Sequence, residues 1–132
     1  MGFRNFPALR KTRTSIAMVA LLADIVLGGC GKTATKLDEA KWADALRAPD
    51  TKLRKRAAFK LGNIGRSDPA VLHALMSALN DADAGVRCET ILSLVKIGPA
   101  AKQALPQLAE VEQHDNDETV RTYAARALEK LH

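Results

Sequence analysis

Residues 83–94 read DAGVRCETILSL, an acidic residue followed by Val-Arg and then by apolar residues three and four positions apart. Residues 50–61 (DTKLRKRAAFKL) and 117–128 (DETVRTYAARAL) repeat this pattern in register, at periods of 33 and 34 residues. A period of this length is typical of stacked helical hairpins, because one such unit is too small to bury its own apolar face. The pattern therefore predicts an all-α fold.

Shorter apolar segments precede each copy of the pattern and predict a first helix for each hairpin. Asp68-Pro69 and Gly98-Pro99 supply the residues that begin and end helices, since Asp caps a helix start, Pro suits the first turn and Gly suits the C-terminus. Asp50, Asp83 and Asp117 stand where the second helices need an N-cap. The chain from residue 36 onward is thus predicted to be a short α-solenoid. Its three helix-turn-helix units have the approximate bounds 36–65, 68–98 and 99–132.

An arginine occupies the same place in each predicted second helix, at Arg54, Arg87 and Arg121. On a helical wheel these positions fall within the apolar stripe rather than on the solvated side. A charge inside that stripe is tolerated only when it is paired and hydrogen-bonded. We therefore expect these arginines to be structural.

The repeated pattern resembles the HEAT repeat, in the class named for phycobilisome lyases, which has Asp in the turn between helices, then Val-Arg, Ala-Ala and Leu. Pro106 falls in a first helix, as in some members of that class. The resemblance implies a ladder in which each arginine reaches a turn aspartate of its own or a neighbouring repeat. The ladder residues implied in this way are Asp50, Arg54, Asp83, Arg87, Asp117 and Arg121.

Residues 1–30 have the composition of an export signal. Four basic residues and no acidic one lie before residue 14, and an apolar run of export-signal length follows. That run is too short for a permanent membrane-spanning helix, which needs about 20 apolar residues. It ends in Leu27-Gly-Gly-Cys30, which resembles the lipobox of bacterial lipoproteins.

The lipobox resemblance implies that residues 1–29 are a cleaved signal peptide, that Cys30 is acylated and that residues 30–35 form a tether. The protein would then be exported and anchored to a bacterial cell membrane by its N-terminal lipid. Asp24 departs from the pattern, because a charge within the apolar run costs insertion free energy, and an uncleaved N-terminus is the alternative. Removing residues 1–29 lowers the net charge from +5 to +2, which weakens any nucleic-acid-binding interpretation.

The side of the second helices that lies opposite the apolar stripe carries the candidate binding residues. The HEAT resemblance implies that this is the concave face on which partners lie, and its basic cluster over residues 52–60 suits an acidic protein, anionic headgroups or phosphates. Two other interpretations are open, a merely solvated helix side and a seam between repeats that Phe59 and Leu92 fill. The candidate residues are Lys55, Arg56, Phe59, Lys60, Leu92, Tyr123 and Arg126.

No catalytic or metal-binding pattern accompanies these features. The sequence has neither Cys-x-x-Cys nor His-x-x-x-His, and no His shares the periodic face of Cys88. We therefore predict no enzyme activity, no metal, no cofactor and no small-molecule substrate. The favoured function is a membrane-tethered module that binds or scaffolds another protein. The alternatives are an accessory role in bilin attachment, which only the class name implies, and nucleic-acid binding through the basic helix 52–60.

Overall fold

The computed structural model describes residues 35–64 and 68–132. The predicted signal peptide, Cys30 and most of the tether, together with Gly65, lie outside the described residues. Throughout the described ranges the regular structure is helical, and no strand occurs in them. The prediction of an all-α solenoid is confirmed.

Six α-helices form three successive hairpins in the described part of the chain. Each second helix packs on the second helix of the following hairpin. Each first helix packs on the second helix of its own hairpin. None of these helices has the length and apolar content that crossing a membrane requires. The first helices are α1 (Lys36–Ala45), α3 (Pro69–Ala78) and α5 (Leu105–His114), the second helices are α2 (Thr51–Ile64), α4 (Ala84–Ile97) and α6 (Glu118–Leu131), and a 3-10 helix (Gly98–Ala104) precedes α5.

Aspartates begin the helices at the places that the sequence predicts. Asp68, Asp83 and Asp117 are N-caps whose side-chain oxygens accept hydrogen bonds from backbone amides of the first turn. Gly98 ends α4 with a φ of 77°, a left-handed conformation that costs glycine little. The third hairpin differs in that its first α-helix begins only at Leu105, with Pro in the first turn, where a missing N–H costs no helical hydrogen bond.

Aliphatic side chains fill the core between first and second helices. Its largest fully buried members are Leu61, Leu75, Leu79, Ile91, Leu94, Leu108, Val86 and Val120. The helices α2 and α4 approach closely at Gly62, where an added Cβ would come within 2.6 Å of the Ser93 Oγ and 2.7 Å of the Ser93 Cα. The Ser93 hydroxyl lies 2.7 Å from the Ala58 carbonyl oxygen of α2, so it hydrogen-bonds across this contact. These contacts fix the register of α2 against α4.

Candidate functional site

Arg54 and Arg87 each form a bidentate ion pair with an aspartate of the following hairpin. The Nε and Nη2 atoms of Arg54 lie 2.7 and 3.0 Å from the Asp81 carboxylate oxygens. Those of Arg87 both lie 2.8 Å from the Asp115 carboxylate oxygens. The Nη1 atom of each arginine donates to a carbonyl oxygen six residues earlier, at 3.0 Å for Arg54 and 2.7 Å for Arg87. These pairs tie each hairpin to the next, and we call them the ladder.

Both rungs of the ladder are largely shielded from solvent. The arginine side chains are 15% and 13% exposed, and their aspartate partners 9% and 7%. Burial alone would raise the pKa of Asp81 and of Asp115, but hydrogen bonds from Arg54, Arg87 and backbone amides hold each pKa below the ordinary carboxyl value. The same hydrogen bonds raise the pKa of both arginines.

We expect the ladder to make the fold sensitive to acid. A carboxyl group whose pKa is lowered by folding contributes stability above its unfolded pKa of about 3.9, and this stability is lost as the pH falls towards the folded value. The urea midpoint should therefore drop between about pH 6 and pH 3. Asp115→Asn should lower the urea midpoint at about pH 6, and its midpoint should fall less than that of the wild type between about pH 6 and pH 3. An equal drop in both proteins would contradict the assignment.

The predicted acidic partners of the ladder are wrong. Asp50, Asp83 and Asp117 stand at helix starts, where their carboxylates accept hydrogen bonds from backbone amides of their own helix. The arginines instead use Asp81 and Asp115, which lie two residues earlier, in the turns of the following hairpins. The sequence contains a signal for these two residues, since they also recur at the repeat period, 34 residues apart.

Arg121 does not complete a third rung. Its Nη1 donates to the carbonyl oxygen of Asp115 at 2.6 Å, as in the other two arginines. Over residues 35–64 and 68–132, no side chain hydrogen-bonds to its Nε or Nη2. Within the described residues, the ladder contact implied for Arg121 and Asp117 is therefore absent, and the backbone carbonyl of Asp115 alone orients this guanidinium group.

The exposed side of α2, α4 and α6, which we call the second-helix face, is basic and includes two large apolar side chains. Phe59 is 44% exposed and Leu92 is 36% exposed. The Nζ of Lys96 lies 4.6 Å from the centroid of the Phe59 ring and 3.2 Å from the Asn63 Oδ1. Asn63 and Lys96 occupy equivalent positions in successive repeats and are hydrogen-bonded to each other, and Phe59 and Leu92 are the equivalent positions one turn earlier.

Five of the seven predicted binding residues are exposed on this face. They are Lys55, Arg56, Phe59, Leu92 and Arg126. Lys60 and Tyr123 are half-buried, and Tyr123 packs against the core. The guanidinium of Arg56 lies 5.9 Å from the centroid of the Trp42 ring of α1, within the range of a cation–π interaction. Lys96 also lies on this face, one turn after Leu92, although it is not among the seven candidate binding residues.

The three stacked hairpins and their ladder invite comparison with known repeat families. A family model described as HEAT repeats matches residues 39–129, from α1 to α6. The chain belongs to the HEAT-repeat family. HEAT repeats generally mediate protein–protein interaction, and HEAT-repeat proteins are generally non-enzymatic scaffolds. No curated protein matches this chain.

The inter-helix turns of the second and third HEAT repeats line a groove, and Asn80 and Asn116 are among the residues that border it. Arg87 borders it, but this guanidinium already donates to the Asp115 carboxylate and to the backbone carbonyl of Asp81. In the described part of the chain, no three His, Cys, Asp or Glu side chains converge in a way that could hold a metal ion. The second-helix face is therefore the candidate binding surface of these HEAT repeats.

Proposed function

We propose that this HEAT-repeat protein is a membrane-tethered module that binds an acidic protein partner through its second-helix face. The observation that carries the proposal is the exposed apolar pair Phe59 and Leu92 beside the ammonium group of Lys96. Aromatic residues are enriched at protein interfaces, where a few well-packed anchors carry most of the binding energy.

The distribution of charge between first and second helices favours an acidic partner. Apart from Arg54, which is paired in the ladder, the helix α2 has four basic residues and no acidic one, namely Lys52, Lys55, Arg56 and Lys60. The first helices α1 and α5 instead have an excess of acidic residues, and α3 has no Asp, Glu, Lys or Arg. An acidic surface is therefore attracted to the second-helix face, and α1 and α5 disfavour it.

The proposed partner contact is tested with paired substitutions on the full chain, solubilised in a neutral detergent. Phe59→Ala with Lys96→Glu should weaken capture of the partner by at least about ten-fold, because it removes an apolar anchor and reverses the charge beside it. The matched control is Lys102→Glu, which reverses one exposed charge in the 3-10 helix, outside the second helices. Circular dichroism establishes that both variants are folded. Equal capture of the same partner by both variants would exclude the second-helix face.

The membrane tether is supported by the sequence Leu27-Gly-Gly-Cys30 at the end of an apolar run of export length. A diacylglycerol on Cys30 together with an acylated amine would provide the two or more chains that stable anchoring needs. The first hairpin, which begins with α1 at Lys36, would then be held close to the lipid surface.

We expect a labelled fatty acid to be incorporated into the wild-type chain and not into the Cys30→Ser variant. The reason is that the thiol of Cys30 would be the point of attachment for the diacylglycerol. Cys88→Ser is the matched control and should retain the label. Labelling that is equal in all three proteins would end the lipoprotein proposal and leave the protein-binding proposal intact.

A further inference from the structure

The side of α6 that faces away from α4 has the residue pattern of an inter-repeat contact. Ala58 and Leu61 of α2 are at most 1% exposed. The same holds for Ile91 and Leu94, which occupy the equivalent positions of α4. The equivalent residues of α6 are Ala125 and Leu128, and both are only half-buried. These two side chains continue the apolar row through which the second helices pack on one another.

Arg121 lies at the start of the same row. Its Nη1 is anchored on the Asp115 carbonyl oxygen, as Arg87 is anchored on that of Asp81. In Arg54 and Arg87 the remaining edge, formed by Nε and Nη2, grips a carboxylate from the next helical hairpin. The corresponding edge of Arg121 is thus oriented for a carboxylate that the described residues do not supply.

The spacing of residues along α6 makes this surface complementary to itself. Arg121, Ala125 and Glu129 are four residues apart, so they lie along one side of the helix. When two copies of α6 cross in antiparallel orientation at Ala125, Arg121 of each copy stands opposite Glu129 of the other. The small side chain of Ala125 allows the close approach that Gly62 and Ser93 allow between α2 and α4.

We propose that the outer side of α6 is a self-association surface, on which a second copy of this chain binds with two-fold symmetry through reciprocal Arg121–Glu129 ion pairs. A two-fold contact uses the same patch on both copies. Head-to-tail stacking of copies would not continue the ladder, because the first hairpin has Ala48 at the position that Asp81 and Asp115 occupy. The two-fold dimer would present two second-helix faces, which raises the avidity for a partner that offers two sites.

Disulfide cross-linking of the full chain tests the geometry of this dimer. Ala125→Cys places one thiol from each copy at the crossing point, where the two Cβ atoms come close enough for a disulfide. Under mild oxidation this variant should give a covalent dimer in clear excess over the unsubstituted chain, in which Cys30 and Cys88 set the background. His73→Cys, on the exposed side of α3, should not exceed that background. A yield for Ala125→Cys that stays at the background would overturn the proposal.

Charge reversal tests the ion pairs and separates their loss from misfolding. Arg121→Glu and Glu129→Arg should each weaken the dimer by about 100-fold in Kd, because each places two like-charged pairs at the contact. An equimolar mixture of the two variants should restore the dimer, since both pairs are then of opposite charge. Sedimentation of the full chain in neutral detergent measures these three states. Undiminished association of either variant alone, or no recovery in the mixture, would refute the arrangement.

Discussion

Replacing Arg87 with Ala is expected to lower the free energy of unfolding by about 3 kcal/mol. Arg87 is central to the stack, because it joins the second hairpin to the third through two 2.8 Å hydrogen bonds to Asp115. Its removal leaves a carboxylate that is only 7% exposed without its countercharge. Removing one partner of a buried ion pair costs more than the pair itself contributes, because the remaining charge is left desolvated and without a countercharge.

Two controls separate this effect from the loss of any cationic side chain. Arg121→Ala removes a guanidinium with the same backbone anchor but no carboxylate partner among the described residues of its own chain, so we expect it to cost the monomer about 1 kcal/mol. Lys102→Ala removes an exposed ammonium group and should change stability by no more than about 0.5 kcal/mol. Urea unfolding of the three variants measures the series. Equal midpoints for Arg87→Ala and Lys102→Ala would contradict the ladder.

Gly62→Ala is expected to cost about 3 kcal/mol, although Ala favours a helix over Gly by about 1 kcal/mol. The added methyl group would lie 2.6 Å from the Ser93 Oγ and 2.7 Å from the Ser93 Cα. Because the second of these atoms is backbone, a rotamer change of Ser93 does not relieve the clash, and α2 must move away from α4. The hydrogen bond from Ser93 to the Ala58 carbonyl oxygen would be strained by the same movement.

The matched control is Gly85→Ala, in the first turn of α4. Its added methyl group would lie 3.0 Å from the Asp83 Oδ1 and 3.7 Å from the Lys55 Nζ, both of which are side-chain rather than backbone atoms. We therefore expect a change of less than about 1 kcal/mol, since the gain in helix propensity offsets the contact. Thermal unfolding compares the two variants. A Gly62→Ala protein as stable as Gly85→Ala would mean that α2 and α4 do not pack at this distance.

The sequence predicts the hairpins well because periodicity and helix ends are local properties. Asp68, Asp83 and Asp117 begin helices as predicted, and Gly98 ends one. Their roles depend only on the backbone amides and conformation of the residues beside them.

The partners of the ladder could not be assigned from the same pattern. Asp81 and Asp83 are both acidic, both repeat with the period and both lie in the same turn. Which of them faces Arg54 depends on how two hairpins stack, and a helical wheel contains no information about stacking. The Gly62–Ser93 contact was missed for a related reason, since close approach of two helices 31 residues apart in sequence is set by the stacking register.

Position-specific photo-cross-linking tests the central claim, that the second-helix face binds a protein partner, most directly. A photoreactive amino acid replaces Leu92 on this face in one full-length protein and His73 on α3 in another, since both side chains are exposed. After irradiation in intact cells, the protein labelled at position 92 should give a cross-linked product with an acidic protein, and the protein labelled at position 73 should not. The same product from both positions, or a product from position 73 alone, would contradict the account.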